Sequence, residues 1–274
     1  MIHFRNVFSD LNRRVSVGCC IFLGLDYDGT LIELVSSPED GKLPEDLKFV
    51  LKTLMASSKV TPAIISGRSL QNVRDHIGLD NINLVGDHGV EVDGSLIKFI
   101  HPEAEKFREF LKRLIPNISS VVSQYPSALL EIKPYTLSIH YRLLSTKERK
   151  SLLSKLRNFL KPLLDKELCR KKWGKEILNI IMPFDWDKGH AFTLLVDEMK
   201  KKCPCKPILP IYIGDDITDE DAFRVSRIEG YAVRVGKPKK NTLANYYIDS
   251  PDEVKSFLFD LCELVKDENT ALFS

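Results

Sequence analysis

From residue 17 onward, short apolar runs alternate with helix-length stretches that carry one apolar face, which confines the chain to a parallel sheet flanked by helices. The apolar run Val17–Leu25, followed at once by Asp26, reads as a buried strand. A helix is predicted over Pro44–Ser57, with Leu47, Val50, Leu51 and Leu54 on one face. Strand Thr61–Ile65, helix Leu70–Ile77 and strand Asn83–Val85 follow, then a hairpin within Val90–Ile100 that turns at Asp93-Gly94. The rhythm then breaks. Helix Pro102–Leu114 precedes the alternating runs Ala128–Lys133 and Thr136–Arg142, helix Thr146–Asp165, and strand candidates Leu168–Trp173 and Glu176–Met182. It resumes with helix His190–Lys200, strand Leu209–Ile213, helix Asp219–Arg227, strand Gly230–Val235 and helix Asp252–Val265. The expected architecture is an α/β, Rossmann-like core with a parallel sheet over residues 17–102 and 184–274, interrupted by a smaller α+β domain at 103–183. Both termini are expected to fray.

A chain of 274 residues accommodates such a core plus an insert. Its net charge of +2 offers no field of one sign for nucleic acid or anionic lipid. The basic runs Arg170–Lys172, Lys200–Lys202 and Lys237–Lys240 are short and broken, as solvated helix ends and loops are. Val15–Leu25 is apolar but far below the roughly 20 residues that span a bilayer. The six cysteines include Cys203-Pro204-Cys205, which has no second pair at zinc-finger spacing, so a reduced, cytoplasmic protein is expected.

Chemistry concentrates where predicted core strands end. Asp26-Tyr27-Asp28-Gly29-Thr30 closes the first strand, and ligands bind at the carboxyl ends of strands in an open α/β sheet. Gly29 lets a backbone N–H approach a phosphate, and Thr30 adds a donor. Ser66-Gly67-Arg68, Lys188, and the segment Gly214-Asp215-Asp216-Ile217-Thr218-Asp219 sit at equivalent strand ends or shortly after them. Together they meet the needs of phosphoryl transfer: a nucleophile, charge neutralisation and a metal. Asp26 would attack phosphorus, and Asp28 would protonate the leaving oxygen and later deprotonate water. Ser66 would donate to the phosphate, and Lys188 would neutralise it. Asp26, the carbonyl of Asp28, Asp215 and Asp216 are hard oxygen ligands suited to Mg²⁺, with Asp219 orienting them from behind. Taken singly, each element has a plainer reading. The first is an Asx/Gly turn, Gly-Asp-Asp a turn with a helix cap, Ser66 a helix cap, and Lys188 a solvated side chain.

The ordered set resembles the motif series of the haloacid-dehalogenase (HAD) superfamily. An insert between the Ser and Lys motifs resembles the cap of its sugar-phosphatase members. Over about residues 20–260 the chain resembles the trehalose-6-phosphate phosphatase family more particularly. The resemblance is carried by Leu25–Leu31, Ile65–Arg68, Gly86-Asp87-His88-Gly89-Val90-Glu91, Ser138-Ile139-His140-Tyr141-Arg142, Trp186–Gly189 and Gly214–Phe223. It implies a HAD core, Mg²⁺ as cofactor, and a cap whose polar strand face holds the sugar. Glu131, Lys133, Ser138, His140 and Arg142 would then touch substrate, joined by Thr30, Gly67, Arg68 and His88, although His88 could equally satisfy a turn. A polar strand face is also what a solvent-exposed antiparallel sheet shows. Asn179 and Ile181 depart from the acidic and basic residues that the family carries there, which leaves the sugar open. What the resemblance implies is a monomeric Mg²⁺-dependent phosphatase that hydrolyses a small sugar phosphate, trehalose 6-phosphate, to trehalose and phosphate through an aspartyl-phosphate, without nucleic-acid or membrane partners. The competing readings are a phosphatase for another sugar phosphate, a catalytically weak sugar-phosphate binder, and a receiver-like phosphate-binding domain.

Overall fold

The computed structural model describes residues 1–34, 41–174 and 176–266, so the end of the expected core, 267–274, lies outside the described residues. In chain order the elements are β1 (Ile2–His3), α1 (Phe8–Ser16), β2 (Cys20–Leu25), α2 (Glu45–Ala56), β3 (Val60–Ile65), α3 (Leu70–Ile77) and β4 (Asn83–Gly86). Next come β5 (Glu91–Asp93), β6 (Lys98–Ile100), α4 (Ala104–Val122), β7 (Leu129–Ile132), β8 (Leu137–His140), α5 (Thr146–Asp165), β9 (Arg170–Gly174) and β10 (Ile177–Ile181). The chain closes with α6 (Lys188–Lys202), β11 (Ile208–Gly214), α7 (Glu220–Glu229), β12 (Tyr231–Val235), β13 (Tyr246–Ile248) and α8 (Pro251–Val265). The chain divides into two compact units, residues 1–99 with 187–274, and residues 100–186.

The first unit is built on a sheet of order β1-β13-β12-β11-β2-β3-β4-β5-β6. Neighbours from β1 to β4 run parallel, and β5 is antiparallel to β4. The central strands β2 and β11 are buried on both faces, as interior parallel strands are, and successive residues feed opposite cores. Ile21, Leu23 and Leu25 of β2 join the cluster that includes Leu47 and Leu51 of α2 and Leu258 and Leu261 of α8. Cys20 and Phe22 join the cluster of Phe192 and Leu195 of α6 and Phe223 of α7. This is the expected α/β core, three layers deep. Among the described residues, no helix is long and apolar enough to cross a membrane.

Two expectations need correction. The N-terminus is not frayed: β1 pairs with β13, and Phe4, Leu11 and Val15 are buried in the core. The apolar run from Val17 also starts too early for a strand. Val17-Gly18-Cys19 caps α1, with Gly18 at φ +96°, and Val17 is 72% exposed. Helix ends elsewhere follow the residues that can serve orphan backbone groups. Ser69 accepts from Asn72 N at the start of α3, Gly78 takes the left-handed cap at its end, and Ser145 with Glu148 forms a capping box on α5.

The second unit carries an antiparallel sheet of order β7-β8-β10-β9 with helices α4 and α5. Helix α4 runs past Pro116 to Val122, beyond its expected end at Leu114. Pro116 removes one backbone bond, but Ile118 and Val122 extend the buried stripe of Phe107, Leu111 and Leu114, so packing outweighs the break.

Candidate active site

The last rung of the β2–β11 ladder places the nucleophile candidate: Asp26 N–H donates to Ile213 O at 2.9 Å. Beyond it the chain turns back, with Leu31 N–H donating to Tyr27 O at 2.9 Å and Gly29 N–H to Ile32 O at 2.8 Å. Gly29 sits at φ +81°, and a Cβ there would stand 2.4 Å from Asp215 Oδ2. Both the conformation and the close approach require glycine. The turn thereby brings the first motif against the Gly-Asp-Asp motif.

Lys188 joins them, 2% exposed, with Nζ 2.6 Å from Asp26 Oδ1 and 2.7 Å from Asp219 Oδ1. It is the first residue of α6, whose cap, Asp187, accepts from His190 N at 3.1 Å. The solvated-lysine reading is excluded. Asp219 is fully enclosed and accepts from Lys188 Nζ, from Tyr212 OH at 2.8 Å, and from the N–H groups of Asp215 and Asp216 at 3.0 and 2.9 Å. Four donors occupy its two oxygens, so Asp219 acts as an anchor that aims the other groups. Thr30 Oγ1 donates to Asp26 Oδ2 at 3.3 Å.

Asp26, Asp215 and Asp219 present carboxylate oxygens within 4.8 Å of one another, all buried, whereas half-buried Asp216 meets the group through its backbone N–H. Burial pushes Asp26 well above the usual carboxylate range, the negative charges of Asp219 and Asp215 push it further, and Lys188 pulls it back. Burial works against the Lys188 ammonium, but Asp219 and Asp26 outweigh it and raise its pKa. Three buried carboxylates against one ammonium leave negative charge that a hard dication would offset. The donor set therefore fits a hard dication such as Mg²⁺, for which Asp26 and Asp215 would be the side-chain ligands, Asp219 being already satisfied.

Asp28 is held separately. Arg68 donates to both its oxygens, Nε to Oδ2 at 2.7 Å and Nη2 to Oδ1 at 2.6 Å, and Nη1 donates to Asn72 Oδ1 at 2.8 Å. The guanidinium also lies 5.2 Å from the Tyr27 ring centre. Ser66 is 1% exposed and its Oγ accepts from Arg68 N at 3.1 Å. The cap of α3 is Ser69, so Ser66 is not a helix cap. Gly67 lies against His88, and Asp87 and His88 both adopt left-handed conformations, at φ +48° and +60°. Each costs about 1–2 kcal/mol for a residue with a Cβ.

In the second unit, strand register aligns Glu131, Ser138, Asn179 and Lys172 in one row across the sheet. Ser138 Oγ donates to Asn179 Oδ1 at 2.6 Å, and His140 Nε2 pairs with Glu131 Oε2 at 2.8 Å. Lys133 Nζ lies 3.5 Å from the same Glu131 oxygen, and Arg142 Nη2 3.5 Å from His140 Nδ1. Four of the expected residues, Glu131, Lys133, His140 and Arg142, form one linked polar cluster, Ser138 is bonded separately to Asn179, and Ser138 and His140 are buried rather than solvent-facing. Burial works to raise the Glu131 pKa, but the His140 hydrogen bond and the Lys133 charge outweigh it and hold the carboxyl below its ordinary range. Tyr212 and Asn72 escaped sequence reasoning. Tyr212 looks like one more apolar residue of β11, and nothing local announces that its hydroxyl meets Asp219.

The family model described as Trehalose-phosphatase matches residues 24–252. Trehalose-phosphate phosphatase B of Arabidopsis thaliana is 29% identical over 269 residues, covering 94% of this chain and 70% of the relative. Probable trehalose-phosphate phosphatase 4 of Oryza sativa subsp. japonica is 31% identical over 257 residues, covering 90% and 67%. The C-terminal domain of C. albicans trehalose-6-phosphate phosphatase has the same fold, with a TM-score of 0.80 at 23% identity, over 94% of this chain and 97% of that one.

Proposed function

Because the chain belongs to the trehalose-phosphatase family, we propose that it hydrolyses trehalose 6-phosphate to trehalose and phosphate through an aspartyl-phosphate on Asp26. It is a phosphoric monoester hydrolase of HAD type. The observation that carries the residue assignment is Lys188 Nζ at 2.6 Å from Asp26 Oδ1, beside the buried carboxylate of Asp215.

A carboxylate oxygen of Asp26 attacks phosphorus as the bond from phosphorus to the sugar oxygen breaks. Asp28 gives its proton to that departing oxygen, then takes one from the water that attacks the aspartyl-phosphate, which restores Asp26 and frees phosphate. Lys188 and Ser66 offset and orient the phosphoryl oxygens. Asp26, Asp215 and the main-chain carbonyl of Asp28 would hold Mg²⁺, with half-buried Asp216 adjoining; bound there, the ion offsets charge on the phosphoryl group. Glu131, Lys133, Ser138, His140 and Arg142 select the sugar through its hydroxyls. The geometry favours an enzyme over a passive sugar-phosphate binder, because a binder gains nothing from burying a nucleophile beside an ammonium. The site is assigned to a small-molecule substrate handled in the cytoplasm by a single chain.

The test is phosphate release from a panel of phosphorylated sugars, with Mg²⁺ and after chelation. Trehalose 6-phosphate is expected to lead the panel, and chelation to stop turnover. Asp26→Asn should lower kcat by at least about 10³-fold with the fold intact by circular dichroism. A different sugar phosphate preferred by orders of magnitude would move the substrate assignment to the Asn179 departure. Normal turnover by Asp26→Asn would remove the nucleophile.

A further inference from the structure

We propose that the Gly86-Asp87-His88-Gly89 turn is a template that sets the spacing between Ser66 and Lys188, with His88 as a positioning residue rather than a substrate contact. The inference rests on the reading that Ser66 and Lys188 engage the phosphate. Two backbone bonds lace the turn to the Ser66 segment, and a third ties that segment to Val85 just before the turn. Ser66 N–H donates to Val85 O at 3.0 Å, Asp87 N–H to Arg68 O at 2.7 Å, and His88 N–H to Ser66 O at 3.2 Å. The imidazole then fills the space beside the next residue: a Cβ on Gly67 would stand 2.4 Å from His88 Cε1 and 2.9 Å from Nε2.

The far side of the same turn meets the cation's helix. Gly89 is at φ +113°, and a Cβ there would stand 2.5 Å from Asp187 O, the residue that caps α6 immediately before Lys188. Gly86 closes the third side, its Cβ position 2.3 Å from Leu70 N at the start of α3. Four residues thus touch the neighbours of the hydroxyl donor, of the cation and of Arg68. Two successive left-handed residues with side chains, Asp87 and His88, persist because the surrounding bonds over-determine them, and such conformations concentrate where geometry is functional. The ring edge that meets Gly67 is committed to packing. Its thickness fixes how far the Ser66 turn stands from the rest of the edge.

The experiment is a rescue. Gly67→Ala, His88→Gly and the double variant are compared with wild type for kcat and KM on trehalose 6-phosphate and for thermal unfolding. Gly67→Ala should lower kcat by about 100-fold with KM within about 3-fold, because displacing a positioned group by about 1 Å costs that much. His88→Gly should lower kcat by about 10-fold, again with KM little changed, since a positioning loss acts on the transition state. The double variant should regain at least about 10-fold over Gly67→Ala, because the clash is gone. A double variant no faster than Gly67→Ala overturns the proposal. So does a His88→Gly variant whose KM rises at constant kcat, which is the signature of a direct substrate contact, or one indistinguishable from wild type. If Gly67→Ala does not fold, His88→Asn decides, since Asn tolerates the left-handed backbone without the ring. A fall in kcat alone supports positioning, and a change in KM alone or no change overturns it. Asp26→Asn run alongside separates the two levels: retained turnover there sinks the underlying reading, and a failed rescue with Asp26→Asn inactive sinks only this inference.

Discussion

Lys188 shows how much a single side chain can decide. It stands among surface-type residues in the sequence, after Trp186-Asp187, yet it is 2% exposed and bonded to two carboxylates. A buried pair of this kind contributes little net stability against an apolar replacement, but removing one partner strands the other. Lys188→Met should therefore cost about 3–5 kcal/mol in urea unfolding, because Asp26 and Asp219 lose their ammonium, as well as abolishing turnover. An unchanged urea midpoint would mean that those carboxylates are not ionised around the lysine. The DxDGT pentapeptide was legible because glycine at 29 and carboxylates at 26 and 28 have a chemical reason to occur together. Tyr212, whose hydroxyl donates to Asp219, was not, because an aromatic ring in an apolar strand has the same local signature with or without a partner.

At the level of elements, periodicity reported strands and helices well and their ends less well. Helix α3 coincides with its expected span, since Ser69 and Gly78 are local caps. Helix α4 exceeds it, since the decision at Pro116 was made by apolar contacts further on. Alternation in β8 predicted one polar face correctly but could not say whether that face meets water. Ser138 and His140 are in fact buried, the first bonded to Asn179 and the second to Glu131. Glu131 carries a testable consequence. Its folded pKa is depressed, so its contribution to stability is present above the ordinary carboxylate pKa and lost as pH falls through the folded value. Glu131→Gln should lower stability by about 1–2 kcal/mol at neutral pH. The difference in melting temperature from wild type should close as the pH is taken below that range. A difference independent of pH would show that the carboxylate charge contributes nothing.

Taken as one molecule, the first unit depends on a segment whose role sequence reading left open. Residues 1–16 extend the sheet edge through β1 and send Phe4 into contact with Tyr231, Tyr246 and Phe257. Asp10 ties α1 to β12, accepting from Tyr231 OH and from Arg14 Nε. Phe4→Ala should cost about 3–5 kcal/mol, the penalty of a large buried cavity, while leaving KM for the sugar phosphate unchanged. Loss of less than about 1 kcal/mol would show that the segment only rests on the surface.

Local chemistry alone determined the α/β rhythm, the turn from Asp26 to Thr30 and the order of the motifs, because propensity, periodicity and turn formation act over a few residues. Only the folded arrangement decided that Arg68 grips Asp28, that Asp219 is saturated by four donors, and that His88 fills the space beside Gly67. Those contacts join residues brought together by strand order and burial, and a pairing across the sheet leaves no periodic trace in either partner's own neighbourhood.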